Sequence, residues 1–355
     1  MGAVNSILWR FFLIVFSCFL VLACGTGIND SVLESFPGCV VDISPSSEFD
    51  MEDKGILVPS KIFKYGEELI IGIDQSDHLV DIYNTKSERV ISCAYVGRGA
   101  GEMTSNTHMS VLDQYIYLYD YNLGNFWRID VEKTIATGKP ETELFAKLNQ
   151  IRRKDVVSIP IFVQNTHNGA ISTGLLGGHK WYCLLDDNFE ELSFVEDCDF
   201  DNFKDLSDLA RNNVHVSSHI SISPDEKKVV CALQPAAAIS ISEIDGPNLR
   251  EYFRRTFYSC DVRDTPNGPR FNPDDKEAFR DASSDSDNIY LLYSGQTYHQ
   301  EIPAEESSYV IVLDWSGNLK KVFHLTERIR SMCLDGNTLY GVTQYPESKV
   351  LVYSI

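Results

Sequence analysis

Short apolar runs of about six residues recur along this chain, each bounded by Asp, Asn, Gly or Ser. They occupy positions 69–74, 115–120, 170–175, 229–234, 289–294 and 339–344, with starts 46 to 60 residues apart. Runs of this length, rich in Ile, Val, Leu and Tyr, read as buried strands rather than helix turns. Polar turns precede them, as at Asn168-Gly169, Pro224-Asp225-Glu226-Lys227 and Asp335-Gly336-Asn337. A second set of turns follows the next strand, as at Tyr83-Asn84, Ile129-Asp130, Ile244-Asp245-Gly246 and Asp314-Trp315-Ser316-Gly317-Asn318. Such residues accept hairpin dihedrals, so each repeat reads as two hairpins, a four-stranded meander.

A repeat of this order, carrying several short strands, is the signature of propeller blades. The expected fold is all-β: a six-bladed β-propeller of four-stranded antiparallel blades. The run 350–355 is only the third strand of its repeat, while the early strand 38–43 belongs to no complete repeat. Pairing that N-terminal strand onto the last blade closes the ring and removes two free edges. A sandwich of irregular hairpins is the other arrangement the pattern allows.

Composition narrows the partners. The 355 residues hold 51 acidic against 31 basic side chains, a net charge of −20 spread through the chain. Nucleic acid needs clustered Lys and Arg to replace its counterions, so it is not an expected partner.

Residues 1–23 read as a targeting segment. Arg10 supplies the positive flank and 11–23 an apolar run too short to span a bilayer. The run ends Val21-Leu22-Ala23-Cys24-Gly25 and resembles the bacterial lipobox, with Leu22 where a smaller residue is commoner. That resemblance implies lipidation of Cys24 and membrane attachment through the N-terminal lipid; the segment 24–36, with little β pattern, reads as a tether, and 37–355 as the propeller. The expected location is the bacterial envelope, as an outer-membrane lipoprotein facing the periplasm or the surface. An ordinary secretory leader with an incidental Cys24 is the alternative. Of the nine cysteines, the seven beyond Cys24 include no CxxC, and they read mostly as core thiols rather than zinc ligands.

Among motifs, Val96-Gly97-Arg98-Gly99-Ala100-Gly101-Glu102 lacks the strand-to-helix setting of a dinucleotide site and reads as a tight crossing between blades. Together with 287–295, 312–318 and the lipobox, it resembles the TolB-like six-bladed propeller lipoproteins of bacteria, with Ala100 standing where that pattern has proline. The resemblance implies a propeller and an envelope address, and it carries over no catalytic residue.

Asp197, Asp199, Asp201 and Asp208 fall at spacings like those of a calcium loop, but Asn202 replaces the usual glycine and Lys204 an apolar residue. A solvated acidic loop is the simpler reading. His215 and His219, in an extended segment, would stand about 13 Å apart and form no metal pair. No cofactor is implied, and no catalytic set of Ser, His, Cys or Asp assembles from the sequence.

In a propeller, loops joining second to third strands share a face with the crossings between blades, and ligands meet there. Those loops carry Asp74, Tyr119, Tyr121, Asn122, His179, Gln234, Tyr298, His299, Gln344 and Tyr345, with Arg98 and Glu102 from the crossing. Rings beside amides and carboxylates suit a glycan or peptide. The expected function is a binding or scaffolding module. A glycoside hydrolase or lyase using mouth carboxylates and a platform for an envelope protein are the rivals.

Overall fold

The computed structural model describes residues 31–36, 40–99, 101–104, 107–148, 151–153, 156–297 and 308–355. Residues 1–30, with the expected leader and Cys24, lie outside that set. Ser31–Glu34 form one helical turn, α1. Among the described residues no helix is long and apolar enough to cross a membrane. A separate compact unit spans Cys39–Ile355.

That unit begins with two short strands, β1 (Val40–Ile43) and β2 (Ser47–Asp50). Blade 1 follows as β3 (Pro59–Tyr65), β4 (Glu68–Ile73), β5 (His78–Asn84) and β6 (Val90–Tyr95). Blade 2 comprises β7 (Thr107–Leu112), β8 (Tyr115–Asp120), β9 (Asn125–Asp130) and β10 (Thr142–Lys147). Blade 3 holds five strands: β11 (Ile151–Arg153), β12 (Val156–Thr166), β13 (Gly169–Leu175), β14 (Lys180–Leu185) and β15 (Glu191–Glu196). Blade 4 is β16 (Ser218–Ile222), β17 (Lys228–Leu233), β18 (Ala237–Asp245) and β19 (Asn248–Tyr258), followed by the small ribbon β20 (Val262–Arg263) and β21 (Arg270–Phe271). Blade 5 is β22 (Phe279–Ser284), β23 (Asn288–Tyr293), β24 (Ser308–Asp314) and β25 (Leu319–Leu325). Blade 6 is β26 (Ser331–Asp335), β27 (Thr338–Thr343) and β28 (Lys349–Ser354).

With blade 3 counted from β12, β11 being an added edge strand, the six apolar runs of the sequence are the second strands of the six blades. β4 is buried along its whole length, as a strand flanked by neighbours on both edges and both faces must be. The anticipated turns form as Asx turns. Asp314 Oδ1 accepts from the backbone N–H of Ser316 and Asn318 at 2.9 and 3.0 Å, and Asp186 Oδ1 from those of Asn188 and Glu190 at 2.8 Å each. Gly317 closes the first of these turns at φ +81°, where a Cβ would also strike the Phe253 ring.

Ring closure is made by β2. It pairs antiparallel with β28 in the register Ser47 to Val352 and Phe49 to Val350, so the N-terminal segment supplies the fourth strand of the last blade. The strand expected over 38–43 lies elsewhere: β1 adds to β25 of blade 5 in parallel, Val40 opposite Val322. The reason is local. β2 needs one inward apolar side chain, Phe49, whose ring meets Tyr83 of blade 1 edge-on at 6.0 Å, and the chain then passes straight into blade 1 through buried Met51 and Ile56.

Apolar faces interdigitate between blades: Ile70 and Val80 with Ile116 and Leu118 across blades 1 and 2, Trp181 and Leu184 with Val229 and Cys231 across blades 3 and 4. Val342 and Val350 meet Leu69 and Ile71 across the closing seam of blades 6 and 1. Two helices interrupt the meanders. α2 (Val131–Thr137) is capped by Asp130, which accepts from Lys133 N–H at 3.0 Å, where the sequence reading had a turn. α3 (Asp208–Val216) starts at Ser207, whose hydroxyl accepts from Ala210 N–H at 3.2 Å.

Candidate functional site at the channel mouth

The first strands of the blades meet side by side around the centre, β3 against β26, β26 against β22, β22 against β16 and β12 against β7. A cavity of about 460 Å³ opens where these strands begin. Every blade contributes to its wall: Lys61 of β3, His108 of β7, Phe162 of β12, His219 of β16, Asp281 of β22 and Ser331 of β26. The loops between second and third strands add Asp74, Gln234, Gln344 and Tyr345 at the rim.

Asp281 organises the floor. It is 1 % exposed. Its Oδ1 receives Lys61 Nζ at 2.5 Å and Ala282 N–H at 2.9 Å, its Oδ2 the Ser331 hydroxyl at 2.5 Å and Met332 N–H at 2.9 Å. Burial opposes its ionisation, but the Lys61 ammonium and the hydrogen bonds from Lys61 and the Ser331 hydroxyl outweigh it and hold the carboxyl below its ordinary value.

Two imidazoles stand on the wall. His108 meets the Phe162 ring edge-on at 5.0 Å, and among the described residues no hydrogen bond holds it. Burial, with Lys61 nearby, pushes it down to about 3. His219 Nε2 lies 3.3 Å from Gln234 Oε1, and burial lowers it too. Both rings are therefore neutral at pH 7.

Ion pairs set the rim. Arg330 reaches Asp74 Oδ2 and Gln344 Oε1 at 3.1 Å each, while Gln344 donates to Pro59 O at 2.8 Å. Glu277 accepts from Arg280 and from the Gln234 amide. Beside the mouth, the segments after blades 3 and 4 tie together: Asn202 donates to Cys260 O at 2.8 Å, and the Ser207 hydroxyl to Asp264 Oδ1 at 2.6 Å.

Of the residues singled out in the sequence, Asp74, Gln234, Gln344 and Tyr345 line this cavity. Tyr119 lies in the core, stacked on Phe126 at 4.4 Å. Tyr121 packs against the same cluster, and Asn122 is exposed in the turn capped by Asp120. Arg98 is exposed, and the Glu102 carboxylate accepts from Gly99 N–H at 2.5 Å, so this side chain folds back on its own loop. His179 is exposed beside Asp197 at 3.4 Å. Tyr298 and His299 lie outside the described residues.

The four aspartates of the calcium-like spacing are separated. Asp197 is held by Arg211 at 2.9 Å and Asp201 by Lys204 at 2.8 Å, while Asp199 is exposed and Asp208 opens α3. Among the described residues no group of three or more His, Cys, Asp or Glu is placed to hold a metal ion. His215 departs from the extended reading: it lies in α3, fully buried, its Nδ1 2.8 Å from Arg211 O and its Nε2 accepting Cys198 N–H at 3.1 Å.

Sequence reasoning missed the wall residues Lys61, His108, Phe162, His219 and Asp281. For Lys61, His108, His219 and Asp281 the available signal was a polar residue at the second or third position of a first strand; Phe162, the seventh residue of β12, carried no such signal.

Comparisons with known proteins agree with this geometry. A family model described as TolB-like 6-blade propeller-like matches residues 46–337. No curated protein matches the chain. Among solved structures, a DUF4221 family member from Bacteroides vulgatus ATCC 8482 is 12 % identical, over 88 % of this chain and 97 % of its own, with a TM-score of 0.56. A protein from Bacteroides fragilis NCTC 9343 described as exported is 9 % identical over 89 % and 99 %, with a TM-score of 0.50. A luciferin-regenerating enzyme is 10 % identical over 87 % and 95 %, with a TM-score of 0.51. At such identities the likeness is one of fold.

Proposed function

The chain belongs to the TolB-like six-bladed propeller family, and from that premise we propose that it is a lipid-anchored binding module of the bacterial envelope whose ligand sits in the channel mouth. One observation carries the reading: a single cavity to which all six blades contribute, with polar and ring side chains converging on it. Its volume of about 460 Å³ falls in the range of small-molecule sites, roughly 300–1,000 Å³. The anchor rests on Val21-Leu22-Ala23-Cys24, and an envelope address fits the exported Bacteroides fragilis neighbour.

Binding is favoured over hydrolysis by the state of the carboxylates. A glycosidase keeps one acid protonated near neutral pH. Asp281 is held the other way, and Asp74 and Glu277 are each tied to an arginine.

The test is a glycan and peptide array probed with the purified chain and with Phe162→Leu and Tyr345→Ala. Loss of signal in both variants is the expected result; signal unchanged in both removes the mouth as the site. Labelling with radioactive palmitate, abolished by Cys24→Ser, checks the anchor.

A further inference from the structure

We propose that the mouth takes an uncharged sugar, held through its hydroxyls by the neutral side chains of the wall; this rests on the mouth being the binding site. Charged groups around the cavity are already matched within the protein. Lys61 is engaged by Asp281, Arg280 by Glu277 and Arg330 by Asp74, and Arg328 is likewise engaged. An ionic ligand entering here would give up its water and meet only ions that already have counter-charges, so its desolvation goes uncompensated. Displacing Asp74 from Arg330 would not help an anion, because the freed carboxylate would stay beside it, like charge against like.

The uncharged groups are in the opposite condition. Among the described residues no hydrogen bond holds the His108 ring, the Gln164 amide, the Ser60 hydroxyl or the Tyr345 hydroxyl, and all four residues line the cavity. His219 donates Nε2–H to Gln234 Oε1 at 3.3 Å, which leaves its Nδ1 an acceptor. Burial holds both imidazoles neutral at pH 7, so the His108 ring presents one N–H and one lone pair. His108, Gln164 and Ser60 are half-buried, and polar groups so placed without partners are what a ligand's hydroxyls would complete.

The ligand class follows from the kind of group. Imidazole, amide and hydroxyl each donate and accept within one side chain, as a sugar hydroxyl does at a single oxygen. A peptide backbone separates its donors from its acceptors, and a charged terminus or side chain meets the desolvation cost above. Phe162, edge-on to His108 at 5.0 Å, and Tyr345 at the rim supply flat apolar area for the C–H face of a pyranose ring.

Titration calorimetry of the purified full chain decides the matter, using a panel of neutral disaccharides, the uronic-acid counterpart of each and an end-capped tetrapeptide. Wild type is compared with His108→Leu and Gln164→Leu, each checked for an unchanged melting temperature. A neutral disaccharide should bind at least about tenfold tighter than its uronate, with an affinity that changes less than about twofold between low and high salt. Each leucine variant should weaken it about fivefold or more by removing a hydrogen-bonding group. A uronate bound as tightly as its neutral counterpart, both weakened by the leucine variants, would overturn the uncharged class and leave the mouth as a site. Peptide binding without sugar binding, weakened in the same variants, would overturn the sugar class in the same way. No probe bound, or binding that neither variant changes, overturns the proposal; the second result also removes the mouth.

Discussion

Lys61 on β3 and Asp281 on β22 meet at the floor of the channel, Nζ to Oδ1 at 2.5 Å, across 220 positions of sequence. Blade 6 lies between them and reaches the same carboxylate through Ser331 and Met332. One buried charge thus joins blades 5, 6 and 1, the side on which the ring is closed.

Asp281→Ala should therefore destabilise the propeller by about 3–5 kcal/mol, because it strands a half-buried ammonium and three hydrogen-bond donors. Since the carboxyl is held below its ordinary value of 3.8, this stabilisation is complete above that pH and is lost as pH falls through the lower native value. Urea melts at pH 7 for the variant, and of wild type from pH 4 down to about pH 2, check both points; a cost of Asp281→Ala under about 1 kcal/mol would deny the latch its role.

His215 acts at higher pH. Burial pushes it down from 6.5 to about 4, and the Cys198 N–H bond requires an unprotonated Nε2. A group with a depressed basic pKa stabilises the fold above its unfolded value, so this contribution falls as pH drops from 6.5 toward 4, by about 3 kcal/mol at most. His215→Gln should flatten the slope of stability against pH over that interval. An unaltered slope would contradict the assignment.

Phe49 is the one apolar side chain that β2 turns against the closing blade. Phe49→Ala should cost about 2 kcal/mol, less than a fully buried Phe would, since it is only partly covered. Hydrogen exchange should show the loss concentrated in β2 and β28, and uniform exchange across all blades would refute a local seam.

Cys93, Cys183, Cys198, Cys231, Cys260 and Cys333 are buried and unpaired. Burial pushes the Cys93, Cys198 and Cys260 thiols up to about 12, so none is an accessible thiolate at pH 7. Iodoacetamide should leave all six intact in the native protein and label all six in urea, read by peptide mass spectrometry.

Arg330→Ala and Asp74→Asn should change stability by less than about 0.5 kcal/mol, as expected for a rim pair in solvent. Thermal melts check this directly. The same variants then report on ligand capture without a folding effect.

The second strands were legible because they are buried on both faces, leaving continuous runs such as Leu69-Ile70-Ile71. The first strands were not, because one side of each faces a polar channel: Lys61 and His108 break the apolar pattern for the same reason that they line the cavity. Asp74, Gln234, Gln344 and Tyr345 could be placed in advance since topology alone puts those loops on the mouth. Helix α3 escaped notice because its covered side includes Arg211 and His215, whose burial is licensed by hydrogen bonds to Asp197, Phe203 and Cys198 that no periodicity records. Tyr119 misled in the opposite sense, a loop-end tyrosine taken up by stacking in the core.

The pairing of β2 with β28 gives assembly a fixed last event. Ser46, just ahead of β2, bonds to Val352, 306 positions later, so a chain emerging from a ribosome or translocation pore displays an orphan strand until nearly all of it has been delivered. Closing so long a loop adds little entropy beyond a shorter one, yet it sets a high contact order and slow maturation. During that delay the exposed edge of β2 is the segment that a chaperone would have to shield.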